Sequence, residues 1–328
     1  MTAGAATAEI ARRVLAPADL LQWRHSGVVA GAPVAVVSGT FDILQPGNWQ
    51  ALEAAAECAP HVCVVLEPDR VAAAHLPAGR PHHDLAARAE FVAHLRRVSA
   101  VTSLQPTEAA AFFAALRPYC WVVGTDDRRN DPYAAAAAGS AARVVELEPV
   151  AGCRTEDIHR AIREGCTPIP LPANLRCAAE TEAARAPAGT GVLATVNGCF
   201  DILHIGHARF LAQARALADR LIVLVNDDAS LRRYKGPARP VFPLPFRVAA
   251  LRALAAVDDV AAFPEDNPLR LLREIRPQVH IKGGTYEEDR VRDERAALET
   301  WGGRVEFCEL VEGFSTTAYI RKALGISG

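Results

Sequence analysis

The chain has little of what most readily assigns a protein to a class. Aromatic residues make up 6% of its 328 residues, and the net charge at pH 7 is only -2. With no excess of either sign, bulk attraction to nucleic acid or to an anionic membrane is not expected. No apolar run approaches the ~20 residues needed to span a bilayer. The opening stretch MTAGAATAEIARRVLAPADLL lacks the continuous apolar core of a signal peptide. The eight cysteines (58, 63, 120, 153, 166, 177, 199 and 308) are scattered, with no CxxC pair. Cys58 and Cys63 are close, but no second pair completes a zinc set. This usage fits reduced thiols in a cytoplasmic protein. Half of the residues are apolar, Ala and Arg are abundant, and the length allows two domains with cores of their own.

One short phrase occurs twice. It reads SGTFDILQPGN from Ser38 and NGCFDILHIGH from Asn197. Around each copy, short apolar or β-branched runs alternate with helical stretches. In the second half the strand runs are VLATVN, LIVLV, DDVAAF, QVHI and RVEFCEL. The helical stretches include ARFLAQARALA, LPFRVAALRALAAV, NPLRLLREI and DRVRDERAALETW. Phe210, Leu211, Ala214 and Leu217 recur at helical spacing and make one core-facing stripe. In the first half the strand runs are VAVVS, HVCVVL, AVTSL, CWVVG and RVVELE. This alternation predicts a parallel sheet covered by helices on both faces.

The copies match beyond the phrase. Arg80-Pro81 stands where Arg239-Pro240 stands, Arg88 where Arg247 stands, and Gly124 where Gly283 stands. Gly152-Cys153-Arg154-Thr155 corresponds to Gly313-Phe314-Ser315-Thr316. The pattern predicts a tandem duplication of one α/β domain. The first domain is expected over 1–165 and the second over 191–328. Between them, 166–190 is rich in Pro, Ala and Gly and reads as a surface linker.

Only the second copy carries His204 and His207; the first has Gln45 and Asn48 there. In the second copy an apolar strand ends at Asn197. Gly198 permits a close approach by a ligand, and a helix starts a few residues later. Its free N–H groups and dipole favour a bound anion. His204 and His207, three apart, fall on one side of the first turn, and Gly206 lets a phosphate approach the backbone. A metal pair or a pair of core histidines is the alternative; the first needs a third ligand that is not evident nearby. Other features point to phosphate. Lys235-Gly236 sits in an expected loop with Arg232, Arg233 and Arg239. Lys282-Gly283-Gly284 follows the strand QVHI, at the sheet edge where open α/β proteins bind ligands. Gly313-Phe314-Ser315-Thr316-Thr317 precedes the last helix.

Taken in order, GCFDILHIGH, the KG loop, RPVFPLPFR, KGG and GFSTT resemble the cytidylyltransferase-like nucleotidyltransferases. The segment from about 190 to 325 is similar to the adenylyltransferase domain of bacterial ADP-heptose synthases, through NGCFDILHIGH, LIVLVNDDASLRRYKGPARPV, PEDNPLRLL, KGGTY and GFSTT. Class I aminoacyl-tRNA synthetases share a HIGH motif, but no KMSKS partner is recognisable here. The chain departs from bifunctional ADP-heptose synthases, which carry a kinase domain before the transferase. Here a degenerate transferase copy stands in that place. Enzymes of the cytidine branch often carry Arg-Thr-Glu-Gly before the Ser-Thr pair. Leu310-Val311-Glu312-Gly313 lacks that Arg, which leans the reading to ATP over CTP.

The resemblance implies tandem Rossmann-like domains and a reaction. A sugar phosphate oxygen attacks the α-phosphorus of ATP, and pyrophosphate leaves. The nucleophile is already anionic, so alignment and charge stabilisation dominate. His204 and His207 would hold the triphosphate, and Lys235 and Arg247 would neutralise phosphate oxygens. Asn197, Gly198, Cys199, Phe200 and Gly206 would border the nucleotide. Lys282, Gly283, Gly284, Ser315, Thr316 and Thr317 would hold it or its phosphates. Asn226 and Asp228 are expected at the sugar phosphate, and Asp201 either orients the turn or contacts substrate. Cys199 is not expected to be a nucleophile. Mg²⁺ is expected to arrive with ATP, bound by phosphates and water without a protein metal site. The first copy has Val123 in place of Lys282 and Arg154 in place of Ser315, and it is expected to be inactive. It would stand in for the second subunit of a dimer, leaving a monomer with an internal pseudo-dimer, or a homodimer. The alternatives are a CTP-dependent enzyme acting on a small alcohol phosphate, and a non-catalytic nucleotide-binding regulator.

Overall fold

The structure, a computed structural model, describes residues 9–77, 79–124, 131–141, 143–165, 167–169, 171, 191–284, 288–309 and 313–325. Most of the expected linker lies outside the described residues, and so do Leu310, Val311 and Glu312. The chain forms two compact units, one of Ala8–Arg154 and one built on Thr155–Gly328.

The first unit holds a five-stranded parallel sheet of β1 (Val34–Gly39), β2 (His61–Leu66), β3 (Val98–Ser103), β4 (Cys120–Gly124) and β5 (Arg143–Leu147), in the order β3-β2-β1-β4-β5. Its helices are α1 (Pro17–Arg24), α2 (Pro46–Cys58), α3 (Asp69–His75), α4 (Leu85–Ala93), α5 (Ala109–Leu116) and α6 (Ala134–Ser140). A further helix, α7 (Thr155–Glu164), falls in the second unit. The second sheet comprises β6 (Leu193–Gly198), β7 (Arg220–Asn226), β8 (Asp259–Phe263), β9 (Val279–Gly283) and β10 (Arg304–Cys308). Its order, β10-β9-β6-β7-β8, is the same path through the fold. The remaining helices are α8 (Ile205–Ala216), α9 (Asp228–Lys235), α10 (Leu244–Arg252), α11 (Leu269–Ile275), α12 (Glu288–Glu299) and α13 (Thr316–Ala323). The duplicated Rossmann-like α/β architecture expected from the repeats is the one observed.

Both sheets are covered on both faces, which explains the unbroken apolar strands. Val34, Ala35 and Val36 of β1 and Leu221–Val225 of β7 are fully buried. In each sheet the strand order reverses beside the central strand, between β1 and β4 and between β6 and β9. The carboxyl ends of those strands therefore part to leave a crevice.

Two local features differ from the sequence reading. Lys235 is not in a loop: it is the last residue of α9, which Asp227 caps by accepting from the Ser230 N–H and Gly236 closes at a φ of 96°. Leu231 is the one buried apolar side chain of that helix, so it carries almost no periodic signal. The helix expected over 244–257 ends at Arg252, because the chain must turn to bring the Asp258 N–H onto the Leu221 carbonyl and enter β8.

Candidate functional site

The crevice of the second unit is a cavity of about 510 Å³ between the ends of β6 and β9, a size suited to a small-molecule ligand. Its floor is set by the turn after β6. Phe200 takes a left-handed backbone, φ 43°, and its ring folds back over Gly198. A Cβ at position 198 would lie 2.9 Å from that ring, so this position requires glycine. The helix begins at Ile205, and His204 is its N-cap residue. His207 lies on the first turn, its ring stacked on His204 with centroids 3.8 Å apart and planes 24° apart. Gly206 permits this packing: a Cβ there would meet His204 Nδ1 at 3.0 Å and Phe314 Cβ at 3.2 Å.

His207 lines the cavity, whereas His204 is buried and is not part of the lining. Burial, His204 and Arg239 all push the His207 ring well below the ordinary imidazole range. It is therefore neutral at pH 7, and its Nδ1 is buried without a partner among the described residues. Lys282 donates to Asn197 Oδ1 at 2.9 Å and to Glu294 Oε1 at 2.8 Å. Lys235 also lines the cavity, with its ammonium 4.6 Å from the Tyr234 ring centroid. Cys199 borders the cavity, and burial pushes its thiol up despite Lys235, Arg239 and Arg247 nearby, so it is a poor nucleophile.

The expected site residues divide by position. Asn197, Gly198, Cys199, Phe200, His207, Asn226, Lys235, Lys282, Gly283, Thr316 and Thr317 line the cavity. Thr316 Oγ1 also donates to the Ile202 carbonyl at 3.2 Å. Ser315 instead caps α13, accepting from the Ala318 N–H at 3.0 Å, and the Gly284 N–H is bonded to the Cys308 carbonyl. Asp201 borders the cavity, but its carboxylate is buried. It accepts from Arg239 at 2.6 Å and from the Val241 and Phe242 N–H groups at 2.9 Å. Arg247, expected on phosphate, lies away from the cavity and is fully buried. Its guanidinium donates to the Cys199 and Phe242 carbonyls and to Asp228. Asp228 is thereby drawn to the scaffold, not to the cavity lining. Arg247 and Asp228 hold the loop that bears Cys199 and Phe200.

The sequence reading did not include Glu294, Tyr234, Asp266 and Asn267 in the site, yet all four line the cavity. Glu294 was hidden among the charges of the helical stretch DRVRDERAALETW. Val291, Glu294 and Leu298 fall on one helical face, and all three are buried. That spacing was the available signal.

In the first unit the corresponding crevice is about 80 Å³. Gln45, Asn48, Val123 and Arg154 line it. Ser38, the counterpart of Asn197, accepts from Trp121 Nε1 at 2.9 Å and donates to Asp131 at 2.5 Å.

A model of the cytidylyltransferase-like family matches residues 36–159 and again 195–322, covering both halves of the duplication. The chain belongs to the cytidylyltransferase-like family. This nucleotidyltransferase family thus accounts for the repeated phrase, the repeated strand order and the crevice after the central strand. Among curated relatives, the bifunctional protein HldE of Pseudomonas syringae pv. syringae is 52% identical over 129 residues, 39% of this chain and 27% of that protein. HldE of Streptomyces coelicolor is 50% identical over 141 residues, 43% of this chain and 30% of that protein. HldE of Acidiphilium cryptum is 53% identical over 126 residues, with 38% and 26% covered. The chain therefore matches a quarter to a third of the length of these relatives. No described helix of this family member is long and apolar enough to cross a membrane.

Proposed function

We propose that the second unit transfers AMP from ATP to a sugar 1-phosphate, with heptose 1-phosphate the first candidate, and releases pyrophosphate. A phosphate oxygen of the sugar phosphate bonds to the α-phosphorus, and the bond from that phosphorus to the bridging oxygen of the β-phosphate breaks. The observation that carries this reading is the stacked His204–His207 pair at the start of α8, beside a cavity bordered by Lys235, Arg239 and Lys282. Such a site concentrates donors where phosphoryl oxygens gain charge. His207, neutral before phosphate arrives, donates a hydrogen bond; the approaching anion raises its proton affinity and favours the charged ring. Lys235 and Arg239 neutralise phosphate oxygens, and Arg247 acts through the loop it holds. The likeness to the HldE proteins and the absence of the cytidine-branch Arg at 310–312 support ATP over CTP.

Among the described residues no three His, Cys, Asp or Glu side chains gather as a metal site. Mg²⁺ fits this reading as a companion of the triphosphate, where it would neutralise charge on the phosphate oxygens. The first unit, with its small crevice and without the histidine pair, is proposed to turn over no nucleotide. The proposed setting is the cytoplasm.

The test is a screen of the full chain with ATP or CTP, Mg²⁺ and a panel of sugar 1-phosphates and small alcohol phosphates, scoring pyrophosphate release. Release with ATP and a sugar 1-phosphate is expected. Release only with CTP and an alcohol phosphate would overturn the choice of substrates. Nucleotide binding without release from any pair would favour a regulator.

A further inference from the structure

Helix α7 begins where the first copy's closing motif ends. Gly152-Cys153-Arg154-Thr155 leads into it as Gly313-Phe314-Ser315-Thr316 leads into α13. By sequence it is the last helix of the first copy, yet it belongs to the compact unit that carries the proposed chemistry. There it packs on α13, its own counterpart. His159 and Tyr319 are both more than nine-tenths buried, with His159 Nε2 2.8 Å from the Tyr319 hydroxyl. Their rings lie 5.6 Å apart, tilted by 59°. Ile158 and Ile162 are buried beside them. Arg163 donates to the Ala323 carbonyl at 3.3 Å, at the end of α13 where carbonyls lack partners within the helix.

Helix α13 has particular need of a support. It is eight residues long, with Tyr319 and Ala323 its buried side chains, and a helix of that length is not stable alone. Its first turn reaches the site: Thr317 lines the cavity, Thr316 is bonded to the Ile202 carbonyl, and Phe314 just before it stacks on His204 at 6.3 Å. A shift of α13 would therefore move both the hydroxyls and the ring behind His204.

We infer that α7, supplied by the copy without the histidine pair, positions α13 for nucleotide binding, with His159 and Tyr319 as the positioning residues. This rests on the proposed function for what α13 holds. It gives the degenerate copy a mechanical role that needs no ligand of its own.

The test uses the full chain with His159→Phe and Tyr319→Phe, which keep the rings and remove the hydrogen bond, and His159→Gln, which can restore it. Titration with ATP and Mg²⁺ should show the dissociation constant rising roughly three- to tenfold in both Phe variants, the equivalent of one hydrogen bond. Backbone amides of 316–323 should exchange hydrogen faster, and His159→Gln should recover both properties. Wild-type ATP affinity in both Phe variants would overturn the inference, and so would unchanged exchange in α13. Pyrophosphate release is measured separately. Its absence from the wild-type chain would sink the proposed transfer while ATP affinity and exchange still judged the positioning role.

Discussion

The two copies keep the same scaffold and differ in what faces the crevice. In the first unit Asp42 accepts from Arg80 and from the His82 and His83 N–H groups. In the second, Asp201 accepts from Arg239 and from the Val241 and Phe242 N–H groups. Burial works against the Asp42 carboxylate, yet bonds from His83 and the His82 N–H, with Arg80 beside it, hold it well below the usual range. Arg88 donates to the Thr40 and His83 carbonyls and to Asp69. Arg247 donates to the Cys199 and Phe242 carbonyls and to Asp228. Each contact recurs at one constant sequence spacing. The copy without the histidine pair thus shows which part of the motif builds the turn. FDIL and the distant Arg hold the loop in both units, while the histidines, Lys282 and the hydroxyl pair of α13 belong to one copy alone.

The sharpest way to break this comparison is to remove the histidines. His204→Ala and His207→Ala in the full chain should each lower pyrophosphate release by ~10²–10³-fold, whereas Gln45→Ala and Asn48→Ala should leave it unchanged. Near-wild-type release from the histidine variants would place the chemistry elsewhere. Next, Arg88→Ala and Arg247→Ala should destabilise their own units to a similar degree, by about 3–5 kcal/mol, because each strands buried acceptors around a lost charge. Denaturant melts followed separately for each unit would check this. A large loss from only one of the two would mean that the shared tether does different jobs.

Acid offers a subtler contrast. His207 is held well below the ordinary imidazole value, and burial lowers His280 to about 3. Unfolding raises both, so the unfolded chain binds more protons below about pH 6.5. The stability these rings contribute is present above that pH and is lost as pH falls, by about 1.4 kcal/mol per unit for each group. The corresponding positions in the first unit, Asn48 and Trp121, do not titrate. Its Asp42, with a depressed value, contributes stability that is lost only once pH falls below the ordinary carboxylate range. Between pH 6 and 4 the second unit should therefore lose stability first, and His280→Asn should flatten part of the slope. Hydrogen exchange in each unit across that window would show it, and equal loss in both units would refute it. The smallest effect is expected at Cys199. Its thiol is pushed up by burial, and Cys199→Ser should leave the rate close to wild type and the pH–rate profile unmoved.

Much of the fold was legible because its signals are local. Apolar runs bounded by helical periodicity marked the ten strands of the described residues, and the repeated phrase marked the duplication. The missed helix α9 has one buried apolar residue, so period-based reading had nothing to detect. The site was legible where a motif lies on consecutive residues, as in 197–207. It was not legible where a charged residue turns inward. Arg247 was expected on phosphate because charge in a motif usually means contact with a ligand, and Asp201 was expected either to orient the turn or to contact substrate; both are bonded to the scaffold. Glu294 did not stand out because its neighbours in DRVRDERAALETW are charged too.

By itself, the order of residues determined that there are two copies of one α/β domain and that only the second retains the paired imidazoles; both facts need no knowledge of distant contacts. Only the tertiary structure decided which charges face the cavity and which are tied to the backbone behind it. It also placed α7, by sequence the last helix of the first copy, in the compact unit of the second. The partners concerned, Arg247 with Cys199 and His159 with Tyr319, are far apart along the chain. Folding alone brings them within hydrogen-bond range, and a buried charge or ring must take the partner that packing provides.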